Sequence, residues 1–289
     1  MGNPLSIREY FSNKVVLVTG GTGLVGRVLI EKVLHDLPEI RRLYVLVRSS
    51  TDRSGRVVSA DERLHQEIFA SSAFGRLRLR LGEAFDSFVL EKVEAVAGDL
   101  SEENLGLEDS TRQRLQSEVQ IIINCAAAVA FDGDLEIALQ LNTMGPVRVL
   151  DFARGCQGAV LAHVSTCYVN GTRQGVVREE PLDPTQDMDN VDGASHNPYD
   201  VEHEFLALSL LKESAERRSR RPWLRAKFAW RGMRHKSGHV NVSESDRFRK
   251  DWVRQHLIAE GMRRARGRGW NDIYTFTKAM GEQMIMRYR

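Results

Sequence analysis

Val15-Val16-Leu17-Val18-Thr19-Gly20-Gly21-Thr22-Gly23-Leu24-Val25-Gly26 is the stretch that decides how this chain folds. The run Val15 to Val18 has no polar face and reads as a strand covered on both sides. Val25, Leu29 and Val33 then recur at helical spacing, so a strand passes into a helix across the glycines. Gly20, Gly23 and Gly26 have the spacing Gly-x-x-Gly-x-x-Gly. A tight strand-to-helix turn needs residues without Cβ, so that backbone amides can approach a pyrophosphate at the positive end of the helix. A third glycine lets helix and strand pack closely. Thr19, Gly20, Gly21, Thr22, Gly23, Leu24, Val25 and Gly26 are therefore expected to cradle a dinucleotide. The bland alternative is a glycine-rich turn with no ligand.

Outward from this turn, β-branched runs alternate with helical patterns as far as about residue 165, the signature of βαβ units. Leu43 to Val47, Val93 to Ala97, Ile121 to Ile123 and Ala159 to Val164 supply four further strands, with a helix from about Leu135 to Phe152. The fold expected is α/β, a Rossmann-type doubly wound parallel sheet with a basic helical insertion. Residues 181–200 are rich in Asp, Asn, Pro and Gly, as a surface loop should be. The expected organisation is a nucleotide-binding domain over 1–200, a helical basic insertion over 201–272, and a closing helix over 273–289 that belongs to the first domain.

At the end of the second strand, where a carboxylate would hold the ribose hydroxyls of NAD, the sequence has Arg48, Ser49 and Ser50. Arg48 can instead pair bidentately with the 2′-phosphate of NADP(H), with Ser49 as a further donor. NADP(H) is the expected cofactor, against the alternative of a solvated arginine starting a loop. Asp99, followed by Leu100, is placed after the third strand to accept from the adenine amino group, or to cap a helix. Asn124 and Ala126 are expected to line the cofactor floor after the fourth strand. Asn142 on the following helix is a further cofactor candidate, or a plain polar helix residue.

Tyr274 and Lys278 form a Tyr-x-x-x-Lys pair that a helix would place on one face. A phenol is a poor acid near neutrality, and an adjacent ammonium favours its phenolate. Tyr274 is then the proton donor, with Lys278 its tuner and a holder of the nicotinamide ribose. The fifth strand ends in Ser165 and Thr166, where hydroxyls at the carboxyl end of a parallel sheet meet ligands. Thr166, with Ser165 as its neighbour and substitute, can stabilise an oxyanion as hydride arrives. The alternative for this pair is a turn cap.

With 289 residues, 42% hydrophobic, the chain can bury a sizeable core, and a net charge of +2 gives no general case for nucleic acid. Cys125, Cys156 and Cys167 contain no Cys-x-x-Cys pair, so no metal site is expected and reduced thiols in a cytoplasmic protein are. Charge is concentrated locally. Lys212, Arg217, Arg218, Arg220, Arg221, Arg225, Lys227, Arg231, Arg234 and Lys236 interleave with Trp223 and Trp230, and Arg263, Arg264, Arg266 and Arg268 follow. These residues suit coenzyme A phosphates, peripheral contact with an anionic membrane, or single-stranded nucleic acid. A solvated insertion with packed tryptophans is the bland alternative.

On the residues quoted, together with Val45-Leu46-Val47-Arg48, Gly98-Asp99-Leu100, Asn124-Cys125-Ala126-Ala127 and His163-Val164-Ser165-Thr166-Cys167-Tyr168-Val169-Asn170-Gly171, the chain resembles the extended short-chain dehydrogenase/reductases. Within them it is similar to the fatty acyl-CoA reductases and thioester-reductase domains. The resemblance implies NADPH-dependent reduction of a long-chain acyl-CoA thioester to an aldehyde, a primary alcohol or both. Thr166 or Ser165 and Tyr274 would support the oxyanion. It also implies a longer polypeptide, because relatives continue past the Tyr-x-x-x-Lys helix with a region that builds the acyl pocket. A sugar-nucleotide epimerase or dehydratase, and an NADP(H)-binding module without turnover, are the competing expectations.

Overall fold

The computed structural model of the chain describes residues 6–188, 199–235 and 242–289. Five parallel strands make one sheet: β1 Val15–Thr19, β2 Arg42–Val47, β3 Val93–Ala97, β4 Ile121–Asn124 and β5 Val160–His163, in the order β3-β2-β1-β4-β5. Each begins or ends within a residue of its expected place. β1 sits at the centre, with Val16 opposite both Leu43 and Ile121. Val16, Leu17 and Val18 are completely buried, which is why this strand needs no polar alternation. Strand order reverses at β1, so the Thr19–Gly26 turn leaves the sheet at its topological switch point.

The first helix, α1 Leu24–Asp36, buries Gly26, Ile30, Glu31, Val33 and Leu34. Val33 of the expected stripe is buried and Leu29 packs partly against the core, while Val25 does not. Val25 is 56% exposed, because seating Gly26 against the turn rotates its neighbour outward. Between β2 and β3 the chain makes features that periodicity did not reveal: a short hairpin pairing Ser50–Thr51 with Val57–Val58, and a π turn Leu64–Phe69. Phe69, Phe74 and Phe85 meet edge to face there and extend the sheet's core. Helices α2 Asp109–Glu118 and α3 Gly145–Arg154 lead into β4 and β5.

The helix expected from Leu135 to Phe152 is present, running without a break from Leu135 to Arg154 with a π turn in its middle. One turn, Leu135–Ala138, is followed by a π turn Leu139–Met144, and α3 then continues with Pro146 in its first turn.

The chain forms two compact units. One comprises Met1–Ala127 and Met144–Ser165, the other Ala128–Thr143 and Thr166–Arg289. This differs from the expected division at residue 200, and the helix carrying Tyr274 lies in the second unit. The cause is visible in its partners. Trp270, just before that helix, is fully buried against Tyr199 and Phe276, and Gln283 accepts from Tyr199 Oη at 2.7 Å and donates to the Asp183 and Gln186 carbonyls, both at 2.7 Å. The second unit holds α4 Val201–Ser219, α5 Pro222–His235, α6 Val242–Arg266 and α7 Ile273–Tyr288. Both α4 and α5 pack on α6, and Phe228 of α5 meets Trp252 of α6 with ring centres 6.3 Å apart. Part of the expected surface loop, 189–198, lies outside the described residues, as do Lys236 and the side chain of Arg234.

Candidate active site

In the first unit the glycine turn has the geometry that the residue spacing requires. Gly20 has φ +73°, and a Cβ there would lie 2.6 Å from the Ala126 amide nitrogen. A Cβ on Gly26 would fall 2.2 Å from the Gly20 carbonyl oxygen. Gly23 caps α1 with no side-chain hydrogen bond, so the helix presents its first amides without a protein acceptor from the cap. An uncapped 13-residue helix entered through Cβ-free residues fits a pyrophosphate. Leu24 and Val25 are exposed beside these amides. Arg27, which sequence reasoning passed over, donates to the Thr22 carbonyl and closes the turn from the helix side.

Thr19 and Asn124 do something different from lining a floor. Both are completely buried, and Thr19 Oγ1 donates to Asn124 Oδ1 at 2.6 Å while accepting from the Ala126 amide at 3.4 Å. The Asn124 Nδ2 lies 3.1 Å from His163 Nδ1. These side chains clasp the carboxyl ends of β1, β4 and β5 together and so fix where the turn and Ala126 emerge. The signal for this lay in polar residues ending three apolar strands.

At the end of β2, Arg48 is well exposed and its Nη1 lies 3.4 Å from Asp99 Oδ2. Arg63 Nη1 donates to the Arg48 carbonyl at 2.5 Å, pinning the strand end from a helix the sequence reading did not connect with it. Ser49 is exposed beside it. Asp99 Oδ1 accepts from the Ser101 amide at 2.8 Å and hydroxyl at 2.7 Å, so this carboxylate organises its own turn. Burial opposes ionisation of Asp99, but the bonds from Ser101 and the Arg48 guanidinium outweigh it and hold the carboxyl below the usual range. Leu100 is buried, and its carbonyl accepts from Arg148 at 3.0 Å. Its side chain serves the core of this unit.

Ser165 and Thr166 are distinguished by their hydroxyls. Thr166 Oγ1 accepts from the Tyr168 amide at 3.3 Å and caps the 3-10 turn Cys167–Asn170. Its own hydroxyl proton remains available to an acceptor. Ser165 Oγ is buried with no hydrogen-bond partner among the described residues.

The second unit brings the Thr166 turn against α7. Trp270 Nε1 donates to the Val169 carbonyl at 2.8 Å, and the Thr172 amide donates to the Gly269 carbonyl at 2.9 Å. Asp272 then caps α7 by accepting from the Thr275 amide at 2.8 Å. Tyr274 is half-buried with its ring edge-on to Phe131 at 5.9 Å, and Lys278 one turn later is 1% exposed. Tyr274 and Lys278 thus lie one helical turn apart on α7, the first partly exposed and the second buried. Phe131 is an addition to the sequence reading: its carbonyl also accepts from the Ile273 amide at 3.1 Å, which fixes the start of the helix.

Asn142 is completely buried in the π turn. Its Oδ1 accepts from the Ala128 amide at 2.8 Å, and its Nδ2 donates to the Ala128 carbonyl at 2.9 Å and to Thr277 Oγ1 at 3.0 Å. The carboxamide is thereby committed to holding residue 128 and α7 in register, beside Thr143, which donates to the Thr277 carbonyl at 3.0 Å. Its place is a positioning one.

A family model described as "male sterility protein" matches residues 18–289. Among curated proteins, the chain is 32% identical over 286 residues to the alcohol-forming fatty acyl-CoA reductase of Simmondsia chinensis, covering 98% of this chain and 50% of that protein. It is 34% identical over 284 residues to fatty acyl-CoA reductase 1 of Arabidopsis thaliana, covering 97% and 50%. The chain thus spans about half the length of the curated relatives it matches. Among solved structures, the terminal R domain of the myxalamid PKS-NRPS pathway is 27% identical with a TM-score of 0.47, over 60% of this chain and 40% of that one.

Proposed function

This chain belongs to the male sterility protein family, and on that premise we propose that it is an NADP(H)-dependent reductase of long-chain fatty acyl-CoA thioesters, releasing aldehyde, primary alcohol or both. The observation that carries the reading is the bond from Trp270 to the Val169 carbonyl, which ties the turn of Thr166 to the helix of Tyr274 and Lys278. The identity to fatty acyl-CoA reductases over nearly the whole chain supports the substrate class. Arg48, with no carboxylate beside it to meet a ribose hydroxyl except the turn-bound Asp99, supports NADPH over NADH.

NADPH, when bound, supplies the hydride that reduces the thioester carbon. The hydroxyls of Thr166 and Tyr274 hydrogen-bond the substrate oxygen and stabilise the charge that builds there. The carbon–sulfur bond breaks as the carbonyl re-forms, and coenzyme A leaves as a thiolate that takes a proton from water. This first round consumes one NADPH and one proton and yields aldehyde, coenzyme A and NADP. In a second round, which consumes a second NADPH, Tyr274 gives its proton to the alkoxide oxygen of the reduced aldehyde, with Lys278 one helical turn away. The test is NADPH oxidation by the purified chain with palmitoyl-CoA, beside NADH and a Tyr274→Phe variant, with the lipid product identified. Loss of general acid catalysis is expected to cost about 10²- to 10⁴-fold in kcat with cofactor affinity retained. Turnover undiminished in Tyr274→Phe would remove Tyr274 from the chemistry.

A further inference from the structure

From Arg217 to Arg231 the chain carries seven cations and no Asp or Glu, in a protein whose net charge is only +2. Helix α5 lies in this stretch, and its burial pattern divides it sharply. Leu224 and Phe228 are buried, Phe228 against Trp252 of α6. On another face Trp223 and Trp230 are 61% and 54% exposed. Trp223, Lys227 and Trp230 follow i, i+4, i+7 spacing and form one stripe with Ala226, with Arg231 flanking it.

Two indoles on the outer face of a helix held down by other side chains are not there for the core. Nor are the cations balanced internally. Among the described residues Arg220, Arg221, Arg225, Lys227 and Arg231 have no ion-pair partner, whereas Lys212, Arg249 and Lys250 nearby each have one. Three of the four arginines of the second basic cluster are paired: Arg264 and Arg268 are taken up by Glu204 and Asp187, and Arg263 by Glu260.

We propose that the exposed face of α5 is a docking surface for an anionic lipid bilayer, with Trp223 and Trp230 seated at headgroup level and Lys227 and Arg231 against lipid phosphates. Indoles prefer that interface because an apolar ring carries one polar N–H, and each cation near an anionic surface adds attraction. The two rings lie about 10 Å apart along one helix face, a spacing that suits insertion side by side into a plane rather than stacking on successive bases. Contact is peripheral, since no helix among the described residues is long and apolar enough to cross a membrane. The proposal stands independently of the reductase reading.

The test is vesicle flotation of the whole chain with phosphatidylcholine alone and with phosphatidylcholine mixed with phosphatidylserine. A short single-stranded oligonucleotide serves as the competing ligand. The chain is expected to float with the anionic vesicles only, and brominated lipid is expected to quench its tryptophan fluorescence. Lys227→Gln/Arg231→Gln should lower the partition coefficient roughly 25-fold, about fivefold per cation. Trp223→Ala/Trp230→Ala should lower it as well, with both variants keeping the parent circular dichroism because every altered residue is exposed. Failure to bind anionic vesicles, binding unaltered in either variant, or retention of the oligonucleotide without vesicle binding overturns the proposal.

Discussion

Arg48 holds a single ionic partner, Asp99, at the end of β2 and leaves most of its guanidinium donors to solvent. A phosphate at that place would make charge-assisted bonds worth about 1.5–3 kcal/mol. Arg48→Ala is therefore expected to raise the Kd for NADPH about 10- to 100-fold and to leave NADH binding nearly unchanged, as fluorescence titration with each cofactor would show. Equal losses for both cofactors would take Arg48 out of the 2′-phosphate site. At this scale the glycine turn was legible, and Arg48, Thr166, Tyr274 and Lys278 could be named as candidates from type and spacing. What each side chain touches was not. Thr19 and Asn124 were expected to face a cofactor and instead bond to each other, because pairing between β1 and β4 is set by sheet register, and their 105-residue separation hides it. The same blindness made Asn142 a ligand candidate, when its carboxamide is fully engaged by Ala128 and Thr277.

Elements were legible where one period persisted. β1, β2 and β3 are all-apolar or nearly so, and their limits follow from that; the helix from Leu135 was legible as well, but not the π turn inside it, where periodicity shows nothing unusual. The basic cluster before α7 shows the deeper limit. Counted along the sequence, Arg264 and Arg268 are surface charge, but Glu204 and Asp187 come from 60 and 81 residues away to meet them. Arg268 is 9% exposed, with Nη1 2.8 Å from Asp187 Oδ2 and Nη2 3.2 Å from Glu204 Oε2. Removing one partner of such a group leaves buried charge uncompensated, so Arg268→Met is expected to cost about 3–5 kcal/mol, read as a lowered midpoint in urea. A change below 1 kcal/mol would mean the network is solvated. Asp200, which caps α4 and binds Arg287, gives a pH signature. The Arg287 bond, working against slight burial, holds its carboxyl at about 2. A depressed carboxyl contributes stability that is complete above its unfolded value of about 3.9 and is lost as pH falls toward 2. Asp200→Asn should flatten that part of the acid denaturation curve, and an unaltered curve would assign the acid step to other carboxylates.

At the scale of the molecule, fold class followed from alternation of strands and helices, while the division into units did not. Ala128–Thr143 and Thr166–Arg289 form one compact body because Trp270, Tyr199 and Gln283 pack and bond there, contacts between segments that a reading along the chain keeps apart. The turn that suits a dinucleotide lies in one unit, and Thr166, Tyr274 and Lys278 lie in the other. The reductase proposal requires that both serve one reaction, and hydride transfer is the step that joins them. Its most direct test is a single-turnover reaction of the purified chain with palmitoyl-CoA and NADPH carrying deuterium at the transferred C4 position, with the lipid analysed by mass spectrometry. The account predicts deuterium on C1 of the product, one atom in the aldehyde or two in the alcohol, and none when Tyr274→Phe is used over the same interval. A reduced lipid without deuterium at C1, or cofactor bound and oxidised with palmitoyl-CoA untouched, would contradict it.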